Sequence, residues 1–189
     1  MEVDHAVDIS LLPPFHQNIH LFHSATCIYS TLSNSSGGHR TTCQVIHCAP
    51  SWRKSQPRYD CVFVNHDPSS PGFRGLYVGQ VQLIFCIKSP RGSRESDTPC
   101  ALIQWFTAVG DKPCEITGMW MVKPEVKPRT KQRIMSVIHL DSIIRPAHLI
   151  PIFYKEHVAH DHHVADSLTS FNGYYVNKFS DYHAYHLAF

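Results

Sequence analysis

Between Tyr59 and Tyr154 the chain is a succession of short apolar runs. Each is stopped by proline, glycine or a polar cluster before it reaches the length of an ordinary helix pattern. RYDCVFVN (58–65), LYVGQVQLIFCI (76–87), ALIQWFTAV (101–109) and VIHL (137–140) are rich in Val, Ile, Phe and Trp, which suit a pleated, half-buried surface. The stretches between them, 66–75, 89–99, 110–117 and 123–133, read as loops. Short runs at this spacing predict a mainly β module, a small barrel or sandwich. A strand or bent pair of strands is expected around Val137–Leu140 and Ile143–Ile144. Pro146 should end it, and extended chain should resume at Leu149. The flanks differ. Residues 1–20 carry little pattern and read as a loose arm, with the β-rich module over 21–166. In 167–189 the residues Leu168, Phe171, Tyr175, Phe179, Tyr182 and His186 recur at helical intervals, with Ser167 placed to cap. The periodicity predicts a C-terminal helix packed on the module by its aromatic stripe.

Composition narrows the function classes. At 43% apolar and 17% charged residues, the chain is too hydrophobic to stay disordered. A net charge of +2 gives no global basic signature, so any contact with nucleic acid must rest on a local patch. The seven cysteines include no CxxC pair and read as free thiols of a reducing compartment. Asp4, His5 and Asp8 break any apolar leader. No apolar stretch approaches the roughly 20 residues of a membrane span. The expectation is a nuclear or cytoplasmic protein, neither secreted nor membrane-bound.

Chemistry-bearing residues fall into a few groups. Lys123, Lys127, Arg129, Lys131 and Arg133 form a basic, proline-broken run, and Arg53 and Lys54, with Arg58 nearby, form a second group. They could neutralise phosphates while Trp52 or Trp120 stacks on bases; on the residues alone a solvated loop is the favoured explanation of the charges. Trp105 and Trp120, with Phe106 and Tyr77, could build an aromatic cage for a cation, or simply pack. Alternation along the strand puts Trp105 and Phe106 on opposite faces. His157, His160, His162 and His163 are weak metal candidates in a polar loop, and Cys43, His47 and Cys48 are spaced too loosely for a zinc finger. No phosphate-binding glycine loop, nucleophile elbow or HExxH is present, so no catalytic residue and no cofactor are expected.

The segments FHSATCIYSTLSNSSGGHR (22–40), PSWRKSQPRYDCVFVNHD (50–67), PGFRGLYVGQVQLIF (71–85), CALIQWFTAVGD (100–111), TGMWMVKPE (117–125), VIHLDSIIRPAHLIPIF (137–153) and YYVNKFSDYHAYHLAF (174–189) together resemble one region. It is the C-terminal region of fungal proteins derived from Plavaka-type, CACTA-like DNA transposons. The resemblance implies a module separated from an upstream, metal-dependent nuclease domain. Its ancestral role would be to contact DNA or another transposase domain, and it would be non-catalytic itself. The chain departs from the pattern before TGMW, where GDKPCEI holds only Asp111 and Glu115 as acids, and at Asn172-Gly173 in the tail. The order of the Trp-Phe strand, TGMWMVKPE and IHLDSII also resembles bromo-adjacent homology domains. That likeness implies a β-barrel chromatin or protein reader as the alternative function. A metal-dependent hydrolase is the weakest of the three readings.

Overall fold

Two long strands organise the molecule. β-Branched and aromatic residues carry Leu76–Ile87 (β6) and Thr98–Ala108 (β7) as an antiparallel ribbon, in register from Val78↔Phe106 to Ile87↔Thr98. The computed structural model describes residues 19–32, 39–54, 56–89, 97–153 and 167–188. Each long strand serves two neighbours on its outer edge. Ile19–Phe22 (β1) takes the C-terminal half of β6, and Cys61–Asn65 (β5) takes the N-terminal half. Along β7, Met135–His139 (β9) pairs with residues 100–104 and Met121–Pro124 (β8) with residues 106–108. A bulge at Gln82 marks the change of neighbours on β6.

Through its β5 and β8 halves the ribbon enters a barrel. The sheet runs Ile143–Ala147 (β10), β5, β6, β7, β8, Tyr174–Val176 (β12) and Leu149–Pro151 (β11). Its two ends, β10 and β11, are consecutive in the chain and separated by His148 alone. One strand kinked at His148 therefore pairs with β5 on one side and β12 on the other, and the sheet nearly closes on itself. Pro146 lies inside β10 and does not end it. A strand with a single ladder partner tolerates a proline whose nitrogen faces the unpaired edge.

Two apolar cores share the wall. Cys61, Phe63, Val78, Phe106, Trp120 and Tyr174 fill the barrel interior. Val62, Val64, Val81, Ile84 and Ile103 form a second core on the outer face with Ile46 and Cys48. The covering layer is the hairpin of Ser24–Leu32 (β2) and His39–Ala49 (β3), with the short strand Arg58–Tyr59 (β4) beside β3. β5 is buried on both faces, which is why CVFV reads as an unbroken apolar run. Gly79 faces the outer core opposite Trp105, and a Cβ there would sit 2.2 Å from Cγ2 of Ile103.

The C-terminal region corrects the sequence expectation. Helix is confined to Tyr182–Ala188 (α1), while Tyr174–Val176 joins the barrel. The 3–4 spacing of the aromatics mimicked a helical stripe. Tyr174 and Val176 are instead fully buried strand residues flanking Tyr175, so tertiary pairing with β8 and β11 overrides periodicity. The helix is capped by Asp181, which accepts from the Ala184 amide at 2.8 Å, and not by Ser167. At the other end, residues 19 and 20, expected in a loose arm, belong to β1.

One buried charge joins these layers. Arg145 of β10 is 2% exposed. Its guanidinium forms a two-pronged pair with Asp181, donates to Oε1 of Gln44 at 3.2 Å on β3, and lies 5.0 Å from the Tyr29 ring of β2. It also meets Nδ1 of His183 at 3.1 Å. A guanidinium only donates, so Nδ1 of His183 is the acceptor in this contact. The Arg145 guanidinium holds the Asp181 carboxyl below the usual carboxylate range.

Two outcomes are expected. Gly79→Ala should lower stability by about 1–3 kcal/mol in urea denaturation, because the new methyl meets the Ile103 side chain with no room to move. Asp181 contributes stability above its unfolded pKa of about 3.9, lost as pH falls through its lower folded value. Arg145→Met should therefore flatten the dependence of stability on pH below about 4, measured by chemical denaturation across acid pH.

Candidate functional site

The β8–β9 connection is a hairpin rooted on Trp105. The Glu125 amide donates to the Trp105 carbonyl and the Trp105 amide to the Ile134 carbonyl, both at 3.0 Å. It thus rises where β8 and β9 meet along one edge of β7. Val126 bridges Arg133, and Lys127 donates to the Gln132 carbonyl at 2.8 Å. Its tip turns through Lys131 at φ 58°, with the Lys131 amide donating to the Lys127 carbonyl at 2.9 Å. Prolines 124 and 128 shape this segment without leaving it an irregular loop.

The five cations of the basic run divide into two sets. Lys123, Lys127, Arg129 and Lys131 are exposed, and among the described residues none forms an ion pair. Arg133 turns inward instead. Its guanidinium lies 4.8 Å from the Phe106 ring and donates to the Trp105 carbonyl at 3.2 Å. Burial pulls its pKa down. It pins the hairpin to the barrel, while the other four face solvent.

The second basic group lies on the β3–β4 connection. Arg53 and Arg58 sit 5.5 and 5.0 Å from the ring centroid of Trp52, which packs edge-on against His47 at 4.2 Å. Arg58 is tied to Asp60 at 2.9 Å, and Asp60 also binds the His47 ring at 2.9 Å. His47 is thus engaged by a carboxylate, while Cys48 donates to the Gln82 carbonyl at 2.9 Å. Trp52 and Arg58 line a cavity of about 650 Å³ together with His148. Arg53 (φ 51°) and Lys54 (φ 62°) share the left-handed backbone of Lys131, so every non-glycine residue with positive φ among the described residues is a cation of these two groups.

A further cavity of about 630 Å³ brings together Tyr77, Trp105, Phe106 and Trp120, the four aromatics singled out from the sequence. Trp105 and Phe106 do belong to opposite faces: Phe106 is in the barrel core, and Trp105 packs against the outer one. They meet at one cavity because β6 and β7 stop pairing beyond Val78↔Phe106, which opens the wall there. Trp105 donates from Nε1 to Oγ of Ser136 at 2.7 Å. Trp120 is buried, stacked on Phe73 with centroids 4.9 Å apart.

Sequence reasoning missed Arg145, although a lone charge inside IIRPAHLIPI was its signal. It also missed Glu125 at the cavity and Cys114, whose thiol is drawn down to about 7, chiefly by the Thr117 hydroxyl and neighbouring backbone amides. Cys48 and Cys61 behave as buried thiols, pushed up by burial to about 11 and about 12. Among the described residues no group of three or more His, Cys, Asp and Glu could hold a metal ion. His157, His160, His162 and His163 lie outside those residues. No described helix is long and apolar enough to cross a membrane. No protein-family model, curated protein or solved structure matches the chain.

Left-handed backbone costs an ordinary side chain about 1 kcal/mol that glycine does not incur. Lys131→Gly should therefore raise the urea midpoint while removing one tip cation. An unchanged or lower midpoint would show that the Lys131 side chain itself supports the turn.

Proposed function

We propose that the protein is a non-catalytic interaction module whose β8–β9 hairpin contacts DNA. The observation that carries this reading is the hairpin tip, where Lys127, Arg129 and Lys131 are exposed and, among the described residues, without ion pairs. A cation paired with a protein carboxylate gives little to a phosphate. Unpaired cations on a short, anchored hairpin can release counterions from a duplex without first breaking a contact. The inward pinning of Arg133 supports the same reading, because it fixes the tip relative to the barrel and limits the entropy lost on docking. Arg53 and Lys54 at the tip of the Trp52 connector form a second contact under this reading. The resemblance to the C-terminal regions of Plavaka-type transposon proteins adds an ancestral role of this kind, with another transposase domain as the other partner it implies. A module held to a few phosphates by three or four cations binds weakly and without regard to sequence.

The test is a salt titration of the whole chain on duplex and single-stranded DNA. Three tip contacts predict a slope of log affinity on log salt of about −2.7 for the duplex, at about −0.9 per phosphate. Changing Lys127, Arg129 and Lys131 together to Glu should abolish binding at moderate salt and leave the unfolding free energy within about 0.5 kcal/mol of the parent, since all three are exposed. Equal affinity for the triple variant would refute the reading.

A further inference from the structure

We infer that the opening in the barrel wall between β6 and β7 is a binding site for an alkylated ammonium group, the chemistry shared by a methylated lysine side chain and a choline-type molecule. The inference stands apart from the DNA reading, since it uses other residues and a ligand of opposite charge.

The walls are the first argument. Tyr77 and Trp105 line the opening with ring centroids 5.8 Å apart and planes at 66°. One face of Tyr77 is covered by His66, stacked at 3.9 Å, and Tyr77 remains 45% exposed overall. Trp105 lies over Gly79, where a Cβ would come within 3.2 Å of its Cε3, so the sheet supports one side of that ring. The two rings meet in an edge-type pair, and the ring surface left open beside it presents a negative quadrupole to a compact, rounded cation. A nucleobase would need parallel walls to stack between.

Charge points the same way. Asp111 and Glu125 line the opening against a single cation, Arg74, which donates to the Asp111 carbonyl at 3.4 Å. The lining residues sum to one negative unit and Arg133 lies behind Phe106, so it is the carboxylates at the opening itself that suit a cation and oppose a phosphate. Behind it, Phe73, Phe106 and Trp120 form an apolar floor. Such a floor favours an ammonium whose protons are replaced by methyl groups, because the bare ion keeps its tight hydration shell. The barrel already holds one cation in this manner: Arg133 lies 4.8 Å from the Phe106 ring.

The experiment is tryptophan fluorescence of the whole chain titrated with tetramethylammonium, with ammonium and sodium chloride as controls at equal ionic strength. Saturation with tetramethylammonium and none with ammonium is expected. Tyr77→Ala should weaken binding about tenfold and Tyr77→Phe should retain it, as an aromatic wall requires. Because Tyr77 is exposed, both variants should keep the parent circular dichroism. Tighter binding of a trimethyllysine peptide than of choline would support a polypeptide source, and the reverse order a small molecule. No saturable response, or saturation by a nucleoside through the same Tyr77, would overturn the inference. The charge-reversed hairpin variant should bind tetramethylammonium as the parent does, so loss of DNA binding and loss of ammonium binding are separable.

Discussion

The guanidinium of Arg145 is where the outer hairpin, the kinked closing strand and the terminal helix meet. Two of the three are too short to hold themselves in place: α1 is seven residues long and β11 three. An isolated helix of that length is not stable in water. A buried arginine can only be accommodated if its charge is met, and Asp181 does so with both carboxylate oxygens. The planar fork of arginine is what allows this, since one nitrogen serves Asp181 and His183 while the other serves Asp181 and Gln44. The same Asp181 caps the helix, so charge burial and helix initiation are one event. The pairing is incomplete, because Nε of Arg145 has no partner among the described residues.

The candidate sites follow from how the β6–β7 ribbon is shared. Trp105 stands at the junction where β7 changes neighbour from β9 to β8. Its backbone anchors the hairpin, and its side chain borders the wall opening. The hairpin is stiff at its root, where Arg133 is packed on Phe106, and charged at its tip. The wall opening has its aromatic floor inside and its carboxylates outside. One residue position thus supports two surfaces of opposite electrostatic character, which explains how a chain with a net charge of only +2 can present both.

Much of the strand layout was legible because burial leaves an alternating or continuous apolar trace. The expected run 76–87 coincides with β6, and Cys61–Asn65 with β5. Tyr174–Val176 was not legible, since three residues are too few for a period and their neighbours happen to fall at helical intervals. Barrel closure was hidden for another reason. Nothing in AHL (147–149) indicates that residues on either side of His148 pair with different strands, because that depends on partners distant in sequence. The aromatic group was readable as a set of residues, but its convergence depends on the place where two strands diverge. The basic run was readable as charge, and only the fold separates Arg133 from Lys127, Arg129 and Lys131.

The single-residue joint at His148 has a consequence for the order in which the molecule assembles. The β6–β7 ribbon and the β11–β12 side of the seam join segments close in the chain, Val78 to Phe106 and Leu149 to Val176, whereas the β10–β5 side joins Cys61 to Ala147. Contacts of small sequence separation form with the least loop-closure entropy, so the ribbon is available as a template before the seam exists. The β10–β5 side of the seam is then the last part of the barrel to zip and the first to part. Local breathing would begin at His148, on the border of the Trp52 cavity, while the hairpin root at Trp105 stays intact.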